Sequence, residues 1–228
     1  MTQSISPLLR VARSKDRTTV LGPGVRAVIW FHGCSLNCHG CIAYEMNHST
    51  DWTGFSPTEL CAEISQVQGI TGITLSGGDP FDQPKSLLLD FLRLIRANTN
   101  LSIMCYTGRT VEQLLSAKDA GLNKEILDLC DLVIDGVYEE SLNQGHLWRG
   151  SSNQKFHFFT DRYLHLKDQL NESTGRFIEI DISQDNQVAI TGIPQPGFIN
   201  RLRDQLAEQG VSWSFTGESI QQKRIEDQ

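Results

Sequence analysis

Residues 33–41 read GCSLNCHGC and place Cys34, Cys38 and Cys41 in a C-x3-C-x2-C spacing. Thiols packed this closely in a chain without an export signal read as metal ligands before they read as disulfides, because cytosolic thiols are kept reduced. A structural zinc site closes with four protein ligands, so a zinc reading must also recruit His32, His39, His48 or a distant cysteine. A four-iron cluster normally takes four thiolates, and three would leave one iron open to an outside ligand. That open position is what a catalytic cluster needs. The other cysteines, Cys61, Cys105 and Cys130, sit in the apolar contexts LCAEI, IMCYT and LDLCDLVI and read as buried small hydrophobes.

The rest of the composition narrows the class. The chain has 228 residues, 39% of them hydrophobic, and a net charge of −7 without a Lys/Arg block. It is long enough for one substantial core, and a non-specific grip on nucleic acid or an anionic membrane is disfavoured. The opening MTQSISPLLRVARSKDR holds no apolar run of signal-peptide length, and nothing downstream approaches the ~18 consecutive apolar residues of a membrane span. A cytoplasmic protein is expected.

Periodicity supplies the elements that must carry the cysteines. Residues 25–32, 70–76, 101–108 and 131–136 read as strands, and residues 56–67 and 84–99 as helices, with a further helical pattern after residue 110. Ser56 and Pro57 form a helix start, and Gly22-Pro23-Gly24 a turn before the first strand. Alternation of this kind implies a parallel α/β sheet, whose ligands gather at the carboxyl ends of its strands. Those ends carry GCSLNCHGC, SGGDP, YTGR and DGVYE.

These segments, with LGPGVR, LVIDGVYEE and LWRGSSNQ, follow one another between about residue 21 and residue 160. In that order they resemble the radical S-adenosylmethionine superfamily, and within it the activating enzymes of anaerobic ribonucleotide reductase and other short glycyl-radical-enzyme activases. The resemblance implies a partial, open (β/α)6-type barrel of about six mostly parallel strands. It implies that Cys34, Cys38 and Cys41 bind three irons of a 4Fe–4S cluster, while S-adenosylmethionine chelates the fourth. Gly77, Gly78 and Asp79 would receive the methionine amino group, backbone around Gly40 and Ile42 would touch the adenine, and Thr107 and Asp135 would contact ribose or methionine. Asp at position 79 and Gly at position 40 both match the ribonucleotide reductase branch. The resemblance further implies reductive cleavage to a 5′-deoxyadenosyl radical, a glycyl radical enzyme as partner and an external reductant such as flavodoxin.

Residues 1–160 would form this core and residues 161–228 a small α+β extension that completes or covers the barrel. In the extension, residues 176–182 and 187–193 read as strands joined by SQDN, residues 196–210 as a helix, residues 211–215 as a last strand, and GESIQQKRIEDQ as a frayed end. The lack of further cysteine groups implies a single cluster. Arg149 would meet a substrate anion or a loop carbonyl, and His32 and His39 flank the cluster loop. Two alternatives remain open: a single-cluster enzyme acting on a small molecule or ribosomal peptide, and a non-catalytic iron–sulfur module.

Overall fold

The computed structural model describes residues 7–173, 175, 177–182, 187–216 and 219–224. A seven-stranded sheet runs in the order β3-β1-β2-β4-β5-β6-β7, from β1 (Leu9–Thr18), β2 (Arg26–Phe31), β3 (Thr53–Phe55), β4 (Gly72–Gly77), β5 (Ser102–Thr107), β6 (Leu132–Asp135) and β7 (Lys155–Phe158). Strands β2, β4, β5 and β6 are mutually parallel. The flanking strands β1 and β7 pair antiparallel. The expectation of about six parallel strands is corrected to four with antiparallel borders. Among the described residues β3 and β7 do not pair with each other, so the sheet is open.

The strand alternation sorts side chains onto two faces. Ala27, Ile29, Phe31, Ile73, Leu75, Ile103 and Val133 pack under helices α2 (Pro57–Gln66), α3 (Lys85–Asn98) and α5 (Ala120–Asp128) in the main core. Their helical partners include Leu60, Ile64, Leu88, Phe91, Leu92, Ile95 and Ile126. Cys61, Cys105 and Cys130 are buried in the same core as free thiols. Helix α2 starts as its sequence implies: Ser56 and Glu59 form a reciprocal capping box with Pro at the first turn. Thr110 and Gln113 repeat the box at α4 (Val111–Ser116).

The opposite face is built from Val28 and Trp30, Met104 and Tyr106, and Leu132 and Ile134. At its lower end stands Arg26, fully buried, whose guanidinium donates to Thr74 Oγ1 (2.7 Å), Ser102 Oγ (2.8 Å), Pro23 O (3.0 Å) and the Ile73 carbonyl. A buried cation is tolerated when its donors are all used, and here they tie the amino ends of β2, β4 and β5 together. Burial lowers its pKa from the usual arginine range.

After α6 (Lys167–Glu172) the chain builds a second, four-stranded sheet in the order β10-β11-β9-β8. Its strands are β8 (Ile178–Ile182), β9 (Gln187–Gly192), β10 (Val211–Thr216) and β11 (Ser219–Arg224), with α7 (Phe198–Glu208) between β9 and β10. The turn expected at residues 183–186 lies outside the described residues. Part of the segment expected to fray is ordered: Ser219–Arg224 pairs with β10 and β9. No helix among the described residues is long and apolar enough to cross a membrane.

Candidate functional site

The cysteine loop leaves the carboxyl end of β2 and is fixed from several sides. His32 N donates to Arg10 O (2.8 Å), its Nε2 meets Ser49 O (2.7 Å), and Gln83 Nε2 donates to His32 O (2.8 Å). Within the loop Asn37 and Gly40 have positive φ, 46° and 72°, and fold the chain back between successive cysteines. Cys41 N then donates to Cys38 O, Tyr44 N to Cys41 O, and the short α1 (Tyr44–His48) begins. A side chain at Gly40 would stand 3.2 Å from Glu140 Oε2 and 3.4 Å from the Tyr138 ring, and its φ favours glycine.

All three cysteines are partly exposed and unbonded to one another. Burial pushes the Cys34 thiol up, opposed by the backbone N–H groups of Leu36 and Asn37 at its sulfur. Burial also pushes Cys41 up, opposed by the Ala43 N–H and reinforced by Cys38 and Cys34. The Cys41 sulfur thus lies within electrostatic reach of Cys38 and Cys34. Amide hydrogens aimed at sulfur suit thiolates bound to iron. Among the described residues no three His, Cys, Asp or Glu side chains converge on a single ion. A cubane needs no such convergence, because each thiolate takes its own iron. Among the described residues His32, His39 and His48 are not gathered with the cysteines into a group that could hold a single ion, as the zinc alternative requires. The donor set fits the cluster.

The GGDP segment lies directly against this loop. Gly78 N donates to Phe31 O (2.6 Å) and Asp79 N to Gly33 O (3.1 Å). A Cβ at Gly77 would come 2.6 Å from Trp30 Cα, and one at Gly78 only 2.0 Å from the Gly33 carbonyl oxygen. The glycines therefore let two backbones meet.

The Asp79 carboxylate is turned to the protein. Buried at 2% exposure, it accepts from Phe81 N (2.9 Å), Thr107 Oγ1 (3.0 Å), Gly108 N (3.1 Å) and Arg109 Nη1 (2.9 Å). Arg109 continues to Asp82 Oδ1 (2.7 Å) and Ser35 Oγ (2.8 Å), while Ser35 N donates to Asp82 Oδ2 (2.8 Å). This network ties the residue after Cys34 to the ends of β4 and β5. Burial pushes the Asp79 carboxyl up against the pull of Arg109; burial opposes the Arg109 charge, which Asp79 and Asp82 nevertheless hold above its usual range. Asp135 accepts from Val111 N (2.7 Å) and pairs with His157 (2.9 Å), partners that outweigh burial and hold it below the usual carboxylate range.

A cavity of about 330 Å³ opens beside the cysteine loop. Gly40, Cys41, Ile42 and Ala43 form one side, and Trp30, Ser76, Gly77 and Tyr106 the floor at the strand ends. Tyr138, Glu140, Gly150 and Gln154 form another side, and residues 192–200 the last. Of the expected contacts, Gly40, Ile42 and Gly77 line it; Gly78 and the side chains of Asp79, Thr107 and Asp135 do not. The wall after β6 is set by Gln154, which accepts from Gly150 N (2.8 Å) and donates to Gly136 O (2.9 Å). Arg149 is buried, donating to Gln154 O and lying 4.9 Å over the Phe156 ring, which corresponds to the loop-carbonyl reading.

Sequence reasoning assigned no individual role to Trp30, Tyr106, Arg109 or residues 192–200, although Tyr106 and Arg109 lie in the segment YTGR. The first two were accessible from strand alternation, since Trp30 follows Val28 and Tyr106 follows Met104 on the inner face. The other two depend on contacts far apart in sequence.

A family model described as a 4Fe-4S single cluster domain matches residues 20–157. The anaerobic ribonucleoside-triphosphate reductase-activating protein of Enterobacteria phage T4 is 32% identical over 147 residues, covering 62% of this chain and 89% of the relative. Its namesakes in Escherichia coli K12 and Pasteurella multocida are 30% and 33% identical, with 91% and 92% of their lengths covered. The chain belongs to the 4Fe–4S single-cluster domain family and is a relative of the activating proteins of anaerobic ribonucleoside-triphosphate reductase.

Proposed function

We propose that this protein is a radical S-adenosylmethionine activase that generates a glycyl radical on a partner enzyme of the anaerobic ribonucleotide reductase type. The observation that carries the reading is the cavity joining Cys41, Gly40 and Ile42 to the carboxyl ends of the parallel strands. Cys41 lines it, and Cys34 and Cys38 belong to the same loop. When bound, a 4Fe–4S cluster supplies one electron and an open iron for chelation by an amino acid.

In this reading Cys34, Cys38 and Cys41 hold the cluster. Ser76 and Gly77 line the cavity, and a backbone carbonyl there would accept from an ammonium group. Asp79 acts as a positioning residue through Arg109 and Ser35. Thr107 supports Asp79 through its hydroxyl. Asp135 holds the start of α4. The apolar floor of Trp30 and Tyr106 excludes water from a reactive radical. With S-adenosylmethionine held there, one electron would cleave it to methionine and a 5′-deoxyadenosyl radical, which would take a hydrogen atom from glycine to leave 5′-deoxyadenosine and a glycyl radical. A one-electron donor such as flavodoxin supplies the electron.

The test is anaerobic incubation of the reconstituted protein with S-adenosylmethionine, reductant and an anaerobic ribonucleotide reductase, read by electron paramagnetic resonance. A glycyl radical signal dependent on all four components is expected. Cleavage to 5′-deoxyadenosine without any such signal would favour the small-molecule or peptide alternative. An intact, reducible cluster with no cleavage would favour the non-catalytic module.

A further inference from the structure

Residues 192–200, GIPQPGFIN, lie beyond the family-matched residues 20–157, yet they form a whole side of the cavity. This strap is fixed in place. Ile193 packs against the cluster of Val20, Leu21, Val28 and Trp30. Pro194 and Pro196 restrict the backbone. The turn closes by Phe198 N donating to Gln195 O (3.0 Å) and Arg201 Nη1 donating to Pro196 O (3.1 Å). The sheet that carries it is docked on the core: Thr19 N and Oγ1 donate to Glu179 (2.9 and 3.2 Å), and Lys15 pairs with Glu179 and Asp181.

Across the cavity stands Ile42, an apolar side chain left 51% exposed. The space between has apolar sides in Ile42, Ile193, Pro194 and Phe198, with the polar groups of Tyr138, Glu140 and Gln195 at its edge. Apolar surfaces with polar groups around the margin suit a planar heteroaromatic base, which buries its faces and hydrogen-bonds through its edge. We propose that strap residues 193–198 are the wall that packs the nucleoside of S-adenosylmethionine, so that cofactor affinity in this chain depends on a segment outside the matched domain. The inference rests on the activase reading for the identity of the cofactor.

The test uses the full chain with its cluster reconstituted, and equilibrium dialysis against S-adenosylmethionine and, separately, methionine. Ile193→Ser and Phe198→Ala should each weaken S-adenosylmethionine roughly tenfold, the loss of an apolar contact surface, while methionine affinity and iron content stay unchanged. The exposed tip variant Pro196→Ser removes a ring from the wall without touching the core. It should weaken S-adenosylmethionine roughly threefold, and it keeps the test decisive if the other two fail to fold. Wild-type S-adenosylmethionine affinity in the folded variants would overturn the strap's role and leave the activase reading standing. A wild-type protein that holds its cluster and binds no S-adenosylmethionine would overturn both.

Discussion

The two walls that meet at the cavity are held by different physics. The cysteine loop is locked by backbone contact and buried charge: Gly78 against Gly33, and Arg109 spanning Asp79, Asp82 and Ser35. The strap is carried on a separate sheet and fixed by prolines, Ile193 and partly exposed ion pairs. Low-dielectric contacts resist change, because removing one partner strands another; solvated pairs cost little to lose. The difference teaches that the cluster end of the site is held by contacts that are costly to lose and the strap, which lies beyond the family-matched residues, in part by ion pairs that are cheap to lose.

The comparison breaks most completely at the cysteines. Cys34→Ala, Cys38→Ala or Cys41→Ala should each abolish iron retention after anaerobic reconstitution, measured by iron and sulfide content. Cys61→Ala, buried in the main core, should keep the full complement. Equal loss in the Cys61 variant would refute the ligand assignment.

Next comes the lock. Gly78→Ala pushes a methyl into the Gly33 carbonyl and should cost about 3 kcal/mol, the scale of forced overpacking. Arg109→Ala leaves the Asp79 carboxylate buried without its cation and should cost a similar ~3 kcal/mol in urea unfolding, with Arg109→Lys recovering only part of it. If Arg109→Ala is as stable as wild type, the network does not hold the loop.

The smallest effect belongs to the docked extension. Burial raises the Glu179 pKa, but the Thr19 N–H, the Thr18 hydroxyl and Lys15 outweigh it and lower the net value. A depressed carboxylate stabilises above its unfolded pKa and loses that contribution as pH falls through its folded value. Glu179→Gln should therefore cost under about 1 kcal/mol at neutral pH, screened by solvent, and nothing at a pH below the folded pKa. Hydrogen exchange in β8 and β9 at two pH values checks it; equal protection in both proteins at neutral pH would remove Glu179 as an anchor.

Much of the core was legible because its signals are local. Parallel strands β2, β4, β5 and β6 are nearly continuous apolar runs, and the capping box at Ser56 lies within four residues. Strand β1 was not, since LRVARSKDRT is charged along its length, and β3 and β7 are too short for periodicity to speak. At the site, the cysteines and glycines were legible by spacing. The turn of Asp79 away from the cavity was not, because Arg109 lies 30 residues downstream and reaches it only through the pairing of β4 with β5. GIPQPGF spans the end of one expected strand and the start of an expected helix, and only the docking of the second sheet makes it a cavity wall.

The central claim is that three cysteines present a catalytic cluster to this cavity. Its most direct test is to quantify 5′-deoxyadenosine from the anaerobically reconstituted, dithionite-reduced protein with S-adenosylmethionine, beside the Cys38→Ala and Cys61→Ala variants. Formation in the wild type and Cys61→Ala, and none in Cys38→Ala, is the predicted result. An intact, reduced cluster that yields no 5′-deoxyadenosine would contradict the account.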